Sequence, residues 1–126
     1  MTDTLFSVAD KVTLVSGGSR GIGKALAAGF VARGAKVIIT GRDASTLAET
    51  AAKIGSPANP VVPVVCNVAR KDDIEGCVKA VTEQFGRIDV LLNVAGVNKR
   101  KPAESYTEEE FDFIIDINLR GAFWMA

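Results

Sequence analysis

Hydrophobic residues along the chain fall into short apolar runs that alternate with stretches of helical spacing. The runs predict strands at 11–16, 35–40, 61–66 and 88–93. They are apolar nearly throughout, which is typical of parallel strands covered on both faces. Between the strands, apolar residues three or four positions apart predict helices over 21–33, 44–54 and 69–85. Residues 1–10 are predicted to form a short lead-in.

Capping residues mark the ends of these elements. Gly34 and Gly86 follow the first and third helices, and Asp43 can cap the second. Pro63 interrupts the third run, so that strand is expected at an edge of the sheet or with an irregular start. A capping box formed by residues 107 and 110 begins a last helix.

Strands that alternate with helices predict βαβ units. We therefore expect an α/β fold, a Rossmann-type doubly wound parallel sheet of four strands in the order βαβαβαβα. Right-handed crossovers are expected to place successive strands side by side. The last helix is apolar on more than one face. Its second face is expected to bury against another subunit, or else within the same domain.

Composition narrows the class of protein. The chain has 126 residues, with 15 basic and 15 acidic side chains, so no bulk charge favours nucleic acid or an acidic membrane. The absence of histidine removes histidine-based catalysis and argues against a zinc site. Cys66 and Cys77 are predicted to be buried thiols, which fits a reducing compartment. Neither a signal peptide nor a membrane-spanning run is visible, so a cytoplasmic location is expected.

The most informative stretch is the glycine-rich turn at 16–23, which joins the first strand to the first helix. Gly17 would allow a sharp turn, while Gly21 and Gly23 would let the backbone approach a ligand closely. The N–H groups of the following helical turn would then face a diphosphate. The spacing Gly-x-x-x-Gly-x-Gly is a weak signal by itself, and a plain tight turn remains an alternative.

This turn resembles the Thr-Gly-x-x-x-Gly-x-Gly motif of the short-chain dehydrogenase/reductase family. Residues 89–96 are similar to the family's Asn-Asn-Ala-Gly motif, and Asn118 stands where the family has an asparagine in the next helix. The three motifs together cover essentially the whole chain. The resemblance implies the N-terminal, NAD(P)-binding portion of a single-domain oxidoreductase of about 250 residues, acting on a carbonyl or an alcohol.

The resemblance also implies which residues hold the cofactor. The residues expected at the diphosphate and the adenosine ribose are Gly17, Ser19, Arg20, Gly21, Ile22 and Gly23. Those expected along the middle of the cofactor are Asn93, Ala95 and Gly96. At the adenine, Asn67 stands where the family usually has aspartate, and the N–H of Val68 is expected to contact the ring. The sequence departs from the motifs at Ser16, which keeps the hydroxyl, and at Val94, which loses a polar contact.

The choice of cofactor follows from charge. A carboxylate at the end of the second strand reads the ribose 2′-hydroxyl of NAD(H), but that position here is Gly41. Arg42 is adjacent, and Arg20 approaches from the glycine turn. Two charge-assisted bonds to a 2′-phosphate predict a preference for NADP(H) over NAD(H). The alternative is that both arginines are solvated surface residues.

The catalytic part of the family pattern is mostly missing. The family uses a serine and a Tyr-x-x-x-Lys pair that lie beyond the asparagine-bearing helix. Tyr106 is followed four residues later by Glu110 rather than lysine, so it is interpreted as a loop or staple residue. Asn118 is therefore the one predicted catalytic residue, with an amide in a helix bend as the alternative. The chain alone is expected to be inactive.

The substrate is suggested by a basic loop. Residues 98–103 and 106–110 resemble members that act on sugar acids, such as gluconate 5-dehydrogenase and 2-deoxygluconate 3-dehydrogenase. Lys99, Arg100 and Lys101 would suit a small anionic substrate, although a solvated loop is equally compatible. Two alternatives remain: a 3-oxoacyl-carrier-protein reductase, or a non-catalytic dinucleotide-binding or interaction module. Assembly into a homodimer or homotetramer is expected through the last helix.

Overall fold

A four-stranded parallel sheet forms the centre of the molecule. The computed structural model describes residues 4–126, so part of the predicted lead-in, residues 1–3, lies outside the described residues. The strands are β1 Val12–Ser16, β2 Lys36–Gly41, β3 Val62–Val65 and β4 Val90–Asn93. Each lies within the predicted run or extends it by one residue. The alternating α/β architecture is confirmed.

The helices follow the strands in the predicted alternation. They are α1 Gly21–Ala32, α2 Ala44–Ile54, α3 Lys71–Phe85, α4 Glu108–Ile115 and α5 Ala122–Met125. Short 3₁₀ turns occupy Thr4–Phe6 and Ala103–Ser105. Helix α3 begins two residues later than predicted, because the amide oxygen of Asn67 accepts from the N–H of Ala69 and holds a turn there. Within residues 4–126, none of these helices is long and apolar enough to cross a membrane.

The order of the strands corrects one expectation. The sheet runs β3-β2-β1-β4, so β4 lies beside β1 rather than beside β3. Helices α1 and α2 lie on one face of the sheet and α3 lies on the other. The crossovers through α1 and α2 move the chain from β1 to β2 to β3. A right-handed crossover through α3, on the other face of the sheet, must move the chain back in the opposite direction. The chain therefore returns from β3 to the free edge of β1, and Pro63 occupies the edge strand as predicted.

Each face of the sheet has its own apolar core. One cluster includes Leu14, Ile38, Ile74, Val81 and Met125. The other includes Val15, Ile39, Ala27, Leu47 and Ala51. Consecutive strand residues thus point into different cores, which explains why the strands are apolar throughout. Cys66 and Cys77 are buried free thiols in the first cluster, as predicted.

The last helix is interrupted. The hydroxyl of Thr107 accepts from the N–H of Glu110, and the Glu110 carboxylate accepts from the N–H of Thr107, which confirms the capping box. Between α4 and α5 the chain forms a π-helical segment, Asp116–Gly121. Ile117 and Gly121 of this segment are buried against the sheet. The large exposed apolar side chains between residues 107 and 126 are Phe111, Phe113, Leu119, Phe123 and Trp124.

Candidate cofactor site

A cleft of about 700 Å³ opens at the carboxyl ends of the strands. It lies where β1 and β4 are neighbours and the direction of the chain along the sheet reverses, which is where ligands bind in open parallel sheets. Of the predicted cofactor-binding residues, the cleft is lined by Gly17, Ser19, Arg20, Ile22, Gly23, Arg42, Asn67, Val68, Ala95 and Gly96. Gly21 and Asn93 of the predicted set are not among its lining residues.

The glycine turn is tightly folded over the end of β2. The N–H groups of Gly17 and Gly18 both donate to the carbonyl of Thr40, at 3.1 and 3.0 Å. A Cβ on Gly23 would lie 1.9 Å from the carbonyl oxygen of Gly17, so α1 can approach the turn only with glycine at that position. Gly17 itself has φ +83°, in the left-handed region. The turn brings the first N–H groups of α1 to the cleft.

Those N–H groups have no side-chain partner in the part of the chain that is described. Helix α1 begins after Arg20, which makes no capping hydrogen bond, and its first turn contains no acidic residue. Ile22 in that turn is 73 % exposed although it is apolar and lines the cleft. A bare helix N-terminus beside close-packed glycines fits an anionic diphosphate, and a ligand there would cover Ile22. These residues fit a dinucleotide cofactor.

Two exposed arginines flank the end of β2. Arg20 and Arg42 line the cleft, and neither forms a salt bridge within residues 4–126. Asp43, which sequence reasoning treated only as a helix cap, also lines the cleft. Its carboxylate accepts from the N–H of Thr46 at 2.9 Å. That hydrogen bond lowers the pKa of Asp43, and the charge of Arg20 lowers it further.

The wall formed by the end of β3 is fixed by local hydrogen bonds. The N–H of Asn67 donates to the carboxylate of Asp73 at 3.0 Å. The Asn67 amide oxygen accepts from the N–H of Ala69, and its second lone pair can accept one more hydrogen bond. Val68 packs against the π segment, since a Cβ on Gly121 would lie 2.6 Å from its carbonyl oxygen.

The two predicted asparagines of the opposite wall hold backbone. The side chain of Asn93 donates to the carbonyl of Ala122 at 2.8 Å, which ties α5 to the end of β4. Asn118 accepts from the N–H of Val97 at 2.8 Å and donates to its carbonyl at 2.7 Å. A Cβ on Gly96 would lie 2.8 Å from the Asn118 amide oxygen. Asn118 thus fixes the chain that lines this side of the cleft.

The basic loop is partly neutralised by an acidic side chain. Lys99 and Lys101 each lie 2.6 Å from a carboxylate oxygen of Glu110. Hydrogen bonds from Lys101 and then Lys99, with the N–H of Thr107, lower the pKa of Glu110 to about 2. The hydroxyl of Tyr106 donates to the carbonyl of Lys99. Arg100 is the one cation of the loop without an ion pair among the described residues, which weakens the inference of a three-cation anion site.

Proteins with similar sequences bear on the nature of this cleft. The profile of the short chain dehydrogenase family matches residues 11–126. The chain belongs to this family. Galactitol 2-dehydrogenase of Agrobacterium fabrum is 42% identical over 116 residues, which are 92% of this chain and 44% of that protein. A 3-oxoacyl-[acyl-carrier-protein] reductase of Synechocystis is 38% identical over 114 residues, which are 90% of this chain and 46% of that protein.

A solved structure within the short chain dehydrogenase family shares the fold. The 3-ketoacyl-(acyl-carrier-protein) reductase of Brucella melitensis, crystallised with NADH, superposes with a TM-score of 0.86 and is 33% identical. The match covers 94% of this chain and 48% of that one. The chain therefore spans about half the length of the relatives it matches. The two named relatives are a dehydrogenase and a reductase.

Proposed function

We propose that the chain is the cofactor-binding portion of an NADP(H)-dependent oxidoreductase, within a single domain of about 250 residues, that transfers hydride between the nicotinamide and a carbonyl or alcohol. The uncapped N-terminus of α1, set against the glycine turn, is the observation that carries the proposal. The cofactor itself supplies the hydride chemistry. The residues of this chain bind and orient it.

Preference for the 2′-phosphate is supported by the charges at the end of β2. Gly41 offers no carboxylate, and a Cβ there would already lie 3.4 Å from the Ser19 hydroxyl. Arg20 and Arg42 have their guanidinium groups available for a phosphate. The carboxylate of Asp43 opposes them, but it is committed to capping α2. Two charge-assisted bonds of about 1.5–3 kcal/mol each would favour NADP(H).

Titration of the chain with NADPH and NADH tests this preference. We expect Arg42→Ala to weaken NADPH binding by about tenfold to a hundredfold and NADH binding by less than about threefold. Arg33→Ala is the matched control, because Arg33 donates to the carbonyl of Gly29 at the far end of α1 and does not line the cleft. Equal losses for the two cofactors would remove the preference from the proposal.

Asn118 is proposed as the residue of the catalytic set within this chain. Its amide holds the peptide of Val97, so its role is to position the cleft wall on which the nicotinamide half would lie. The sequence contains no Tyr-x-x-x-Lys pair, because Tyr106 is followed four residues later by Glu110, and the family's reactive serine is expected in the same downstream part of the pattern. We therefore expect no NADPH-dependent reductase activity from residues 1–126. Detectable turnover would contradict this assignment.

For the substrate we propose a small sugar acid. Arg100 is the cation that supports it, and similarity to a galactitol dehydrogenase supports a polyol-like body. A 3-oxoacyl thioester is the alternative, since a carrier-protein reductase is also a relative. Turnover of keto-gluconates against 3-oxoacyl thioesters, measured on the protein at the relatives' full length, separates the two. Reduction of neither would contradict both substrate assignments.

Self-association is proposed through the exposed side of the last helix. Phe111, Leu119 and Phe123 are 57%, 64% and 70% exposed, which is unusual for large apolar side chains within one short stretch of chain. We expect the variant Leu119→Arg/Phe123→Arg to lower the sedimentation coefficient to that of a monomer. A cytoplasmic location is also proposed, because both cysteines are unpaired thiols.

A further inference from the structure

A threonine outside the cleft reaches the glycine turn from α2. The hydroxyl of Thr50 donates to the carbonyl of Ser19 at 2.6 Å, across 31 positions of sequence. Thr50 is 4% exposed, so the bond is shielded from water. Helical threonines commonly bond to a carbonyl of their own preceding turn, as Thr82 does with Val78 and Lys79. The hydroxyl of Thr50 instead joins two elements.

The bonded carbonyl belongs to the peptide that connects Ser19 to Arg20. Because that peptide is planar, fixing the direction of the Ser19 carbonyl also fixes the direction of the Arg20 N–H and the position of the Arg20 Cα. Arg20 is extended, with φ −157° and ψ 172°, and no side chain caps it within residues 4–126. The Thr50 bond thus restrains the position from which the Arg20 side chain extends.

Helix α2 carries the other half of the anion site. Arg42 and Asp43 precede its first turn, and Thr50 lies within the same helix. The Ser19 hydroxyl also sits 3.4 Å from the place a Cβ on Gly41 would occupy, so the turn and the end of β2 are in contact. Movement of α2 relative to the turn would change the separation of the two arginines.

We propose that Thr50 is a positioning residue for cofactor selectivity, whose hydrogen bond to the Ser19 carbonyl holds Arg20 and Arg42 at the spacing that grips a 2′-phosphate. The inference rests on the proposed NADP(H) preference. It assigns part of that preference to a buried hydroxyl that need not touch the cofactor.

Calorimetric titration of the chain with NADPH and NADH tests the proposal. Thr50→Val keeps the shape of the side chain and removes the donor. We expect it to raise the Kd for NADPH about fivefold and that for NADH less than twofold. Thr50→Ser keeps the hydroxyl and is expected to restore the selectivity. Thr82→Val, which removes a hydroxyl bonded only within α3, is the control and should leave both constants unchanged.

A double-mutant cycle identifies the residue through which Thr50 acts. In an Arg20→Ala background, Thr50→Val should no longer change the Kd for NADPH. If the valine variant does not fold, Thr50→Ala takes its place, with folding checked by circular dichroism.

The outcomes separate the two proposals. If the parent chain prefers NADPH and Arg42→Ala abolishes that preference while Thr50→Val leaves it intact, the role of Thr50 is overturned and the NADP(H) site stands. Equal weakening of both cofactors by Thr50→Val also overturns it, since that indicates only a structural role. A parent chain with no preference for NADPH overturns the NADP(H) proposal and the inference with it.

Discussion

The first turns of α1 and α4 differ in how their free N–H groups are satisfied. At α4 the hydroxyl of Thr107 and the carboxylate of Glu110 cap the helix, and three consecutive glutamates occupy its first turn. At α1 the described chain provides neither a capping side chain nor an acidic residue. Both turns have the same deficit of hydrogen-bond acceptors. The N-terminus of α4 is capped by its own side chains, whereas the N-terminus of α1 faces the cleft.

This difference shows which helix end is available to a ligand. A capped N-terminus gains stability from its own side chains, and its positive dipole end is neutralised. An uncapped one forgoes that stability and keeps its N–H groups for an anion. Four experiments test this contrast, and the change expected in stability or binding decreases from the first to the last.

The largest effect is expected at the glycine that lets α1 meet its turn. Gly23→Ala would force a Cβ to within 1.9 Å of the Gly17 carbonyl oxygen, so the turn must open. We expect the free energy of unfolding to fall by about 3 kcal/mol and NADPH affinity to fall by about a hundredfold. Urea unfolding and calorimetry measure the two effects.

Gly76→Ala is the matched control, because nothing lies within 4 Å of the added Cβ in α3. It should raise stability by about 0.5–1 kcal/mol and leave affinity unchanged. A well-folded Gly23→Ala variant with parental affinity would show that the close approach is not needed for binding.

The second prediction adds a capping side chain to the N-terminus of α1. Arg20→Asp supplies α1 with a side-chain acceptor at its N-cap, so stability should rise by about 0.5–2 kcal/mol. NADPH affinity should fall by about a hundredfold, since a carboxylate replaces a cation beside the phosphates. Thermal unfolding with and without NADPH detects both changes. Arg20→Gln, which removes the charge without adding one, should give an intermediate affinity.

The third prediction removes the cap from α4. Thr107→Ala deletes the acceptor for the Glu110 N–H and should cost about 1 kcal/mol of unfolding free energy. Cofactor affinity should not change, because Thr107 does not line the cleft. Thr107→Ser keeps the acceptor and should retain the parental stability. A parallel loss of NADPH binding in the alanine variant would contradict the separation of the two helix ends.

The smallest effect is a pH dependence at the same cap. The pKa of Glu110 is lowered from 4.5 to about 2 by Lys101, Lys99 and the Thr107 N–H. Its stabilising contribution is therefore fully present above about pH 4.5 and is lost as the pH falls towards 2. Between pH 4.5 and pH 2, the urea concentration at the midpoint of unfolding should fall less steeply with decreasing pH for Glu110→Gln than for the parent.

Glu108→Gln, a change to an exposed glutamate of the same turn, should keep the parental slope. An unchanged slope in Glu110→Gln would show that the two lysines do not stabilise the fold through this carboxylate.

Local signals in the sequence predicted most of the fold. Apolar runs and caps are encoded within a few residues, so the strands, the Asp43 cap and the Thr107–Glu110 box could be predicted. The position of β4 could not, because it depends on which face α3 covers. The π segment has no local signal either, since its Gly121 packs against Val68, more than 50 positions away in the sequence.

In the candidate site, too, local motifs could be predicted from the sequence, and contacts between distant residues could not. The glycine turn and the neighbouring arginines form continuous motifs, so the residues that line most of the cleft followed from spacing and resemblance. The pairing of Lys99 and Lys101 with Glu110 joins positions about ten residues apart and needs the loop conformation. The bond from Thr50 to Ser19 is more remote still, and an ordinary helical threonine gives no sign of it.

The register between β1 and β4 has a kinetic consequence. Ser16 pairs with Asn93, and the N–H of Val12 donates to the Asp89 carboxylate across 77 positions of sequence. Contacts this distant form late, because the loop between them must close before they contribute any stability. The glycine turn and the wall at Gly96 therefore face each other only after β4 has docked. We therefore expect dinucleotide binding to appear during refolding only once β4 has paired with β1.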